Sequence, residues 1–153
     1  HDALPIYTVF AELKNKHNTM NSSSQKATFD KLENLAETYP NATCYLVEII
    51  ALRSQDTLWQ FSASGEYCSH SRVRRISADR FYELATGNSN AFKELCDALP
   101  LATRDFLSMQ GITPQQASTN NRVYSQLSRK AQFNDLDILT QIFNDTFQGF
   151  NGF

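Results

Sequence analysis

The first clear pattern in the chain is an alternation of apolar and polar residues that predicts a β-strand. In the segment TVFAELK, Ala11 and Leu13 point to one side of an extended backbone, while Glu12 and Lys14 point to the other. The Cα atoms of Glu12 and Lys14 are two strand rises apart, roughly 7 Å. The strand therefore places a carboxylate and an amine on one face, and the polar segment NKHNTMNSSS follows it.

The next segment predicts a helix and then a buried strand. Ser22 and Gln25 have capping-box spacing, and an apolar stripe at intervals of three and four ends before Pro40. The members of this stripe are Phe29, Leu32, Ala36 and Tyr39. Residues 44–50, CYLVEII, form a nearly continuous apolar run, which is typical of a strand covered on both faces in a parallel sheet. Strand, helix and strand together predict a right-handed crossover unit.

The middle of the chain predicts short strands followed by a helix. Residues 58–65, LWQFSASG, are expected to contain a short strand, and residues 71–77, SRVRRIS, alternate like a second one. Ser77 is placed to cap a helix through ADRFYELAT, which Gly87 would end.

The last third of the chain predicts further helices. One helix begins at Asn90 and is expected to break at Pro100. Residues 110–132 are rich in Gln, Asn and Ser and give no definite pattern. Residues 134–147 carry an apolar stripe typical of an amphipathic helix. One α/β domain is the simplest interpretation of the whole order.

The first residues of the chain match a sequencing artefact. The segment HDALPI is the translation of CAC GAC GCT CTT CCG ATC, the end of a widely used sequencing-library adapter. Such segments are excluded from fold arguments. We predict that residues 1–7 are an adapter artefact joined to a truncated reading frame, and that residues 8–153 form one domain whose N-terminal part is missing. A native Ala-Leu-Pro loop is the alternative.

Composition and charge are those of a soluble globular protein. The chain has 153 residues, 41% hydrophobic and 20% charged, which suffices for one domain with a sizeable core. No apolar run is long enough to cross a membrane, so no membrane partner is expected. The formal net charge of −2 excludes an overall basic surface for nucleic acid and still allows a local one.

The cysteines argue against a disulfide framework. Cys44, Cys68 and Cys96 are an odd number with wide spacing and contain no CxxC pair. Cys68 and His70 have C-x-H spacing without a second pair, which is a poor zinc signal. The reducing cytoplasm is therefore the expected compartment.

The pair Glu12 and Lys14 has two interpretations. E-x-K is common, and an ion pair on an exposed strand face explains it without any catalytic role. The alternative is a metal-dependent phosphodiesterase, in which Glu12 and a second acidic residue hold Mg²⁺ against the scissile phosphate. Lys14 would then stabilise the charge that builds on phosphorus, or help to deprotonate the attacking water.

The order of elements around this pair resembles the core of the PD-(D/E)XK nuclease superfamily. There E-x-K lies on a strand that a crossover helix and another strand follow. The segments AELKNKHNTMNSSS, CYLVEIIA and RVRRISADRFYELATG together resemble a family of bacterial Type II restriction endonucleases, which includes enzymes cutting GGNCC-type sites. The similarity covers roughly residues 8–108. It implies an α/β fold with a restriction-endonuclease-like mixed sheet flanked by helices.

The resemblance implies roles for particular residues. Glu12 would be a metal ligand and Lys14 the catalytic lysine. The superfamily also requires an aspartate on the preceding strand, and the one aspartate upstream of Glu12 is Asp2, inside the predicted artefact. We therefore expect the N-terminal part of the core to be missing, and this fragment to bind metal poorly and to cut DNA slowly or not at all. The intact enzyme would cut double-stranded DNA as a homodimer, beside a companion cytosine methyltransferase.

Polar residues after the first strand are candidate DNA contacts. Their side chains would leave the strand beside the proposed metal, where they could reach phosphates or base edges, and the helix N-terminus could hold a phosphate. These residues are Asn15, Lys16, His17, Asn18, Ser22 and Ser23. A self-satisfied turn and ordinary helix capping are the alternatives.

Arg72, Arg74 and Arg75 form the densest basic cluster in the chain. Arg72 and Arg74 share one strand face and are predicted to follow DNA phosphates, with binding that weakens steeply with salt. An edge strand protected by its charges is the alternative.

The remaining conspicuous side chains are predicted to serve the fold. Glu48 interrupts the apolar strand, and it either lies near the site or marks the point where the strand reaches solvent. We favour the solvent position. Five aromatic residues are assigned to the core rather than to base stacking. They are Trp59, Phe61, Phe81, Tyr82 and Phe92.

Two other functions are compatible with the same residues. One is a repair or recombination nuclease on the same core, without sequence preference. The other is a degenerate nuclease fold kept as a non-catalytic DNA-binding or interaction module. Neither alternative changes the predicted fold.

Overall fold

A computed structural model describes residues 8–16, 20–111 and 121–153 of the chain. The elements, in chain order, are β1 (Thr8–Lys16), α1 (Ser22–Thr38), β2 (Ala42–Ile50), β3 (Asp56–Leu58), β4 (Phe61–Ala63), β5 (Glu66–Cys68), β6 (Val73–Ser77), α2 (Ala78–Thr86), α3 (Ala91–Met109), α4 (Asn121–Phe133) and α5 (Ile138–Phe147). The predicted adapter segment, residues 1–7, lies outside the described residues, so its assignment remains a prediction.

The main sheet has four strands in the order β1-β2-β6-β3. β1, β2 and β6 are parallel to one another, and β3 is antiparallel to β6. α1 connects β1 to β2, as the pattern of apolar residues predicted. β2 is apolar on both sides because helices cover both faces of the sheet, α1 on one and α2 on the other. The predicted mixed sheet flanked by helices is confirmed.

The crossover helix begins one residue earlier than its capping pattern predicted. Asn21 is the N-cap residue, and its Oδ1 atom accepts a hydrogen bond of 2.9 Å from the backbone N–H of Ser24. Ser22 is the first residue of the helix instead of its cap. The predicted apolar stripe is confirmed for Phe29, Leu32 and Ala36, each at most 1% exposed. These three side chains fix which face of α1 lies on the sheet.

The short strand expected within residues 58–65 is confirmed as β4, which begins at Phe61 and pairs with β5 in a separate two-stranded sheet, while Leu58 ends β3. The predicted break at Pro100 is wrong. α3 continues through Pro100 and does not break there. Phe92, Cys96 and Pro100 lie four residues apart on one buried stripe, so packing holds the helix together across the proline.

The core consists of apolar clusters on both faces of the sheet. The face under α1 buries Cys44, Leu46, Trp59 and Val73 with the stripe of the helix. All five aromatic residues assigned to the core lie within or against these clusters. The three cysteines are free and buried, and burial raises the pKa of the Cys96 thiol to about 11. Within the described residues, no helix is both long and apolar enough to cross a membrane.

The C-terminal segment packs against the rest of the domain. Phe147, Phe150 and Phe153 surround the Phe92 ring of α3, with ring centroids 5.1, 5.6 and 6.3 Å away. The backbone N–H of Ser54 donates a hydrogen bond of 3.2 Å to the carbonyl oxygen of Gly149. The segment from Phe147 to Phe153 is therefore packed into the fold.

Gly149 lies where two backbones approach closely. A Cβ atom at this position would lie 2.2 Å from the carbonyl oxygen of Leu52. We expect Gly149→Ala to lower the free energy of unfolding by about 1–3 kcal/mol, because one backbone segment must move. Urea denaturation measures this change, and Gln148→Ala, at the exposed neighbouring residue, is the matched control. Equal stability of the two variants would contradict this close packing of the two backbones.

Candidate active site

One face of the sheet changes from apolar to charged along its parallel strands. Residues paired across β1, β2 and β6 point to the same side and form three rows beneath α1. The rows are Phe10–Cys44–Val73, then Glu12–Leu46–Arg75, then Lys14–Glu48–Ser77. The charged residues thus lie toward the carboxyl ends of the strands, where open α/β sheets bind their ligands.

Glu12 is the centre of an ion-pair cluster. Its Oε1 atom lies 3.1 Å from Nζ of Lys14, and its Oε2 atom lies 2.7 Å from Nζ of Lys31 on α1. The predicted placement of Glu12 and Lys14 on one face is confirmed, and their side chains touch. The face is not an open surface, because α1 covers it and the Glu12 side chain is only 26% exposed.

The two lysines keep Glu12 ionised. The hydrogen bond from Lys31 and then that from Lys14 lower the pKa of the Glu12 carboxyl, against a smaller opposing effect of burial. A lowered pKa means that the folded state binds this proton less strongly than the unfolded chain does. The ion pairs therefore stabilise the fold above pH 4.5, the ordinary pKa of glutamate, and lose this effect as the pH falls through the lowered value.

Glu48 forms a second, buried ion pair beside the first. The prediction that it lies where the strand reaches solvent is wrong, because Glu48 is 0% exposed. Arg75 donates to both carboxylate oxygens, at 2.9 Å from Nε and 2.7 Å from a terminal nitrogen, and Gln55 donates at 3.3 Å. A buried carboxylate needs such partners because its desolvation is costly. The sequence shows one glutamate in an apolar run, and only the fold shows its partner.

The other two arginines of the basic cluster lie elsewhere. Arg74 points to the opposite face of the sheet and pairs with Asp56, with Nε 2.6 Å from Oδ1. Arg72 donates to the carbonyl oxygens of Tyr39, Pro40 and Ala42 at the amino end of β2. The three guanidinium groups thus have different partners instead of one shared surface.

β6 is not an edge strand, since it lies between β2 and β3. The alternative explanation of the three arginines, an edge strand protected by charge, is therefore wrong. Whether any of them contacts DNA remains a prediction.

The predicted DNA contacts after β1 are only partly described. Asn15 and Lys16 are exposed at the carboxyl end of β1, and Lys16 shares the face of Lys14. Ser22 and Ser23 are exposed in the first turn of α1. His17 and Asn18 lie outside the described residues. The roles of all six in DNA binding remain predictions.

Lys31 is a site residue that the sequence pattern did not predict. It lies next to Leu32 in the helix, on the border of the buried stripe, and nothing in its local pattern distinguishes it from any exposed lysine. Its contact with Glu12 spans 19 positions of the sequence. Its place in the site could have been predicted only from the way α1 packs over β1 in the crossover unit.

The site offers a magnesium ion one suitable ligand. In the part of the chain that the structure describes, no group of three or more His, Cys, Asp and Glu side chains could hold a metal ion. Glu48 is buried, and both of its carboxylate oxygens already accept hydrogen bonds from Arg75. Glu12 fits the chemistry, because Mg²⁺ takes carboxylate oxygens, keeps several of its waters, and needs only one or two protein carboxylates.

Comparison with known proteins gives the family. The model of the Eco47II restriction endonuclease family matches residues 5–108, which is more than half of the chain and includes Glu12, Lys14, Lys31 and Glu48. The chain belongs to the Eco47II restriction endonuclease family. The family region therefore contains the whole charged cluster beneath α1.

Two relatives of this Eco47II-family chain are Type II restriction enzymes. Sau96I of Staphylococcus aureus is 38% identical over 138 residues, covering 78% of this chain and 53% of that protein. Eco47II of Escherichia coli is 31% identical over 109 residues, covering 65% of this chain and 46% of that protein. The chain thus spans about half the length of the relatives it matches. No solved structure gives a significant match.

The buried ion pair predicts a stability difference within this Eco47II-family domain. We expect Glu48→Gln to lower the free energy of unfolding by about 1–3 kcal/mol, because Arg75 loses its charged partner inside the fold. The control is Asp56→Asn, which removes the partly exposed partner of Arg74 and should cost less than about 1 kcal/mol. Chemical denaturation at neutral pH measures both. A Glu48→Gln domain as stable as the control would show that the buried pair contributes little.

Proposed function

We propose that the protein to which this chain belongs is a Type II site-specific deoxyribonuclease that makes double-strand cuts in DNA. The observation that carries the proposal is the contact between Glu12 and Lys14, a carboxylate and an amine 3.1 Å apart on one sheet face. Membership of a restriction endonuclease family supports it. A palindromic site of the GGNCC type is the recognition sequence we propose.

The reaction is hydrolysis of a phosphodiester by water. The oxygen of water bonds to phosphorus in line with the leaving 3′-oxygen, the bond to that oxygen breaks, and a 5′-phosphate and a 3′-hydroxyl remain. Lys14 stands ready to stabilise the negative charge that grows on the phosphate oxygens, since an ammonium group aimed at developing charge lowers the barrier. Its contact with Glu12 keeps the ammonium on the site face.

Magnesium is the cofactor we propose, with Glu12 as one of its ligands. A bound Mg²⁺ supplies charge for the phosphate oxygens and lowers the pKa of a water that it holds. Restriction endonucleases in general need a divalent cation, and the oxygen ligand in the described site is of the kind that Mg²⁺ prefers. The hydrogen bonds from Lys31 and Lys14 lower the pKa of Glu12, so at neutral pH it is the carboxylate anion, the form that a cation binds.

The DNA contacts predicted from the sequence are part of this proposal. Asn15 and Lys16 lie at the carboxyl end of β1, which is the end of the sheet near which the rows of Glu12 and Lys14 lie. Ser22 and Ser23 begin the helix that follows, and His17 and Asn18 belong to the same connection. Arg75 shares the row of Glu12, whereas Arg72 and Arg74 would have to leave their present partners to reach a phosphate.

The enzyme is proposed to act on DNA as a homodimer in the cytoplasm. A palindromic site presents two equivalent strands, and a two-fold dimer places one site on each. An organism with such an enzyme must protect its own DNA, and a cytosine methyltransferase for the same site is the partner we propose.

Replacing either residue of the pair tests the assignment. In the protein expressed from the complete gene, we expect Glu12→Ala or Lys14→Ala to reduce plasmid cleavage at least about 100-fold, the scale of removing one charge-stabilising group. DNA binding, measured by gel shift, should change little. The matched control is Glu37→Ala, which replaces an exposed carboxylate near the C-terminal end of α1. This variant should cut like the wild type. Wild-type cleavage by either site variant would refute the catalytic roles of Glu12 and Lys14.

The cleavage pattern separates the possible functions. Discrete bands from a defined plasmid indicate a site-specific enzyme, and a smear indicates a repair or recombination nuclease. A wild-type protein that binds DNA and does not cut it in the presence of Mg²⁺ would be the non-catalytic module.

A further inference from the structure

The Glu12 carboxylate is already occupied by cations of the protein itself. One oxygen accepts a hydrogen bond from Lys14, and the other accepts a hydrogen bond of 2.7 Å from Lys31. The cluster holds two positive charges and one negative charge. A divalent cation that approaches Glu12 therefore meets net positive charge, and it must take at least one oxygen away from an ammonium group.

Of the two lysines, Lys31 is the one free to move away. Its side chain is 61% exposed, whereas that of Lys14 is 28% exposed and lies on the strand beside Glu12. The buried residues Phe29 and Leu32 fix the helix under Lys31, so its backbone stays in place while its long side chain can swing into solvent. The ammonium is thus a removable occupant of the Glu12 carboxylate.

α1 also carries a natural control. Lys26 is another lysine of the same helix, but its ammonium pairs with Asp30 at 3.1 Å and with Glu66 at 3.2 Å. Its side chain is 33% exposed. The two lysines therefore differ in one respect that matters for the site, which is contact with Glu12.

We propose that Lys31 is a positioning residue that holds the Glu12 carboxylate until a divalent cation displaces it, and that it thereby sets the cation affinity of the site. The proposal rests on the proposed function, since Glu12 is the cation ligand there. Removal of the Lys31 charge takes away a competitor for one oxygen and a positive charge close to the incoming ion. The effect on cation affinity is therefore an increase, the opposite of what loss of a ligand or of a supporting residue gives.

The test measures cation binding without relying on cleavage. Mn²⁺ replaces Mg²⁺ as the probe, and the electron paramagnetic resonance signal of free Mn²⁺ gives the dissociation constant of the protein expressed from the complete gene. We expect Lys31→Met and Lys31→Gln to bind Mn²⁺ at least about fivefold more tightly than wild type, the scale of one charge pair at 4 Å in water. Lys31→Arg keeps the charge and should restore the wild-type affinity.

The controls separate the possible failures. Lys26→Met should bind Mn²⁺ like the wild type, and thermal unfolding should show that the Lys31 variants are folded. If Lys31→Met and Lys31→Gln bind Mn²⁺ no more tightly than Lys26→Met, Lys31 forms only a surface ion pair and the proposal is wrong, while the nuclease assignment stands. If Glu12→Ala and wild type have the same Mn²⁺ affinity, Glu12 is not a cation ligand, and the proposed function and this inference fail together.

Discussion

The Glu12 carboxylate lies between two ammonium groups from different elements, and the rest of the candidate site is arranged around this contact. Lys14 reaches it along β1, and Lys31 reaches it from the crossover helix. The contact with Lys31 requires that β1 pair with β2 in the observed register, because α1 lies over one face of that pair, whereas the contact with Lys14 is made within β1 itself. A slip of one residue would turn Glu12 and Lys14 to the opposite face, away from α1.

The buried pair of Glu48 and Arg75 extends the charged region into the fold. Glu48 is the register partner of Lys14 on β2, and Arg75 lies in the row of Glu12, so positive and negative side chains alternate across two rows. Ion pairs of this kind seldom add much stability, since the desolvation cost offsets most of the attraction. In this domain the pair keeps charge next to the site without leaving any group unpaired, and no buried side-chain nitrogen or oxygen among the described residues lacks a partner.

Much of the fold follows from local patterns in the chain, and the failures have physical causes. The stripe of Phe29 and Leu32 and the apolar run of β2 each describe a face that is buried, so these elements were predicted correctly. The alternation in TVFAELK predicted the strand, but its apolar face is exposed, with Leu13 58% exposed, and α1 covers the face of Glu12 instead. Pro100 was expected to end a helix, but its own burial on the stripe of Phe92 keeps α3 continuous. Glu48 was expected near solvent because a charge in an apolar run is costly, and its partner comes from a strand 27 positions away.

The sequence by itself determined that Glu12 and Lys14 share a face, because the side chains of a strand alternate with a period of two. It also determined the strand, helix and strand order, because hydrophobic periodicity is a local property of the chain. Only the tertiary structure decided that Lys31 completes the Glu12 cluster, that Arg75 rather than Arg72 or Arg74 lies beside it, and that Glu48 is buried. These contacts join residues 19 and 27 positions apart, and their geometry depends on strand register and helix packing, which no local pattern specifies.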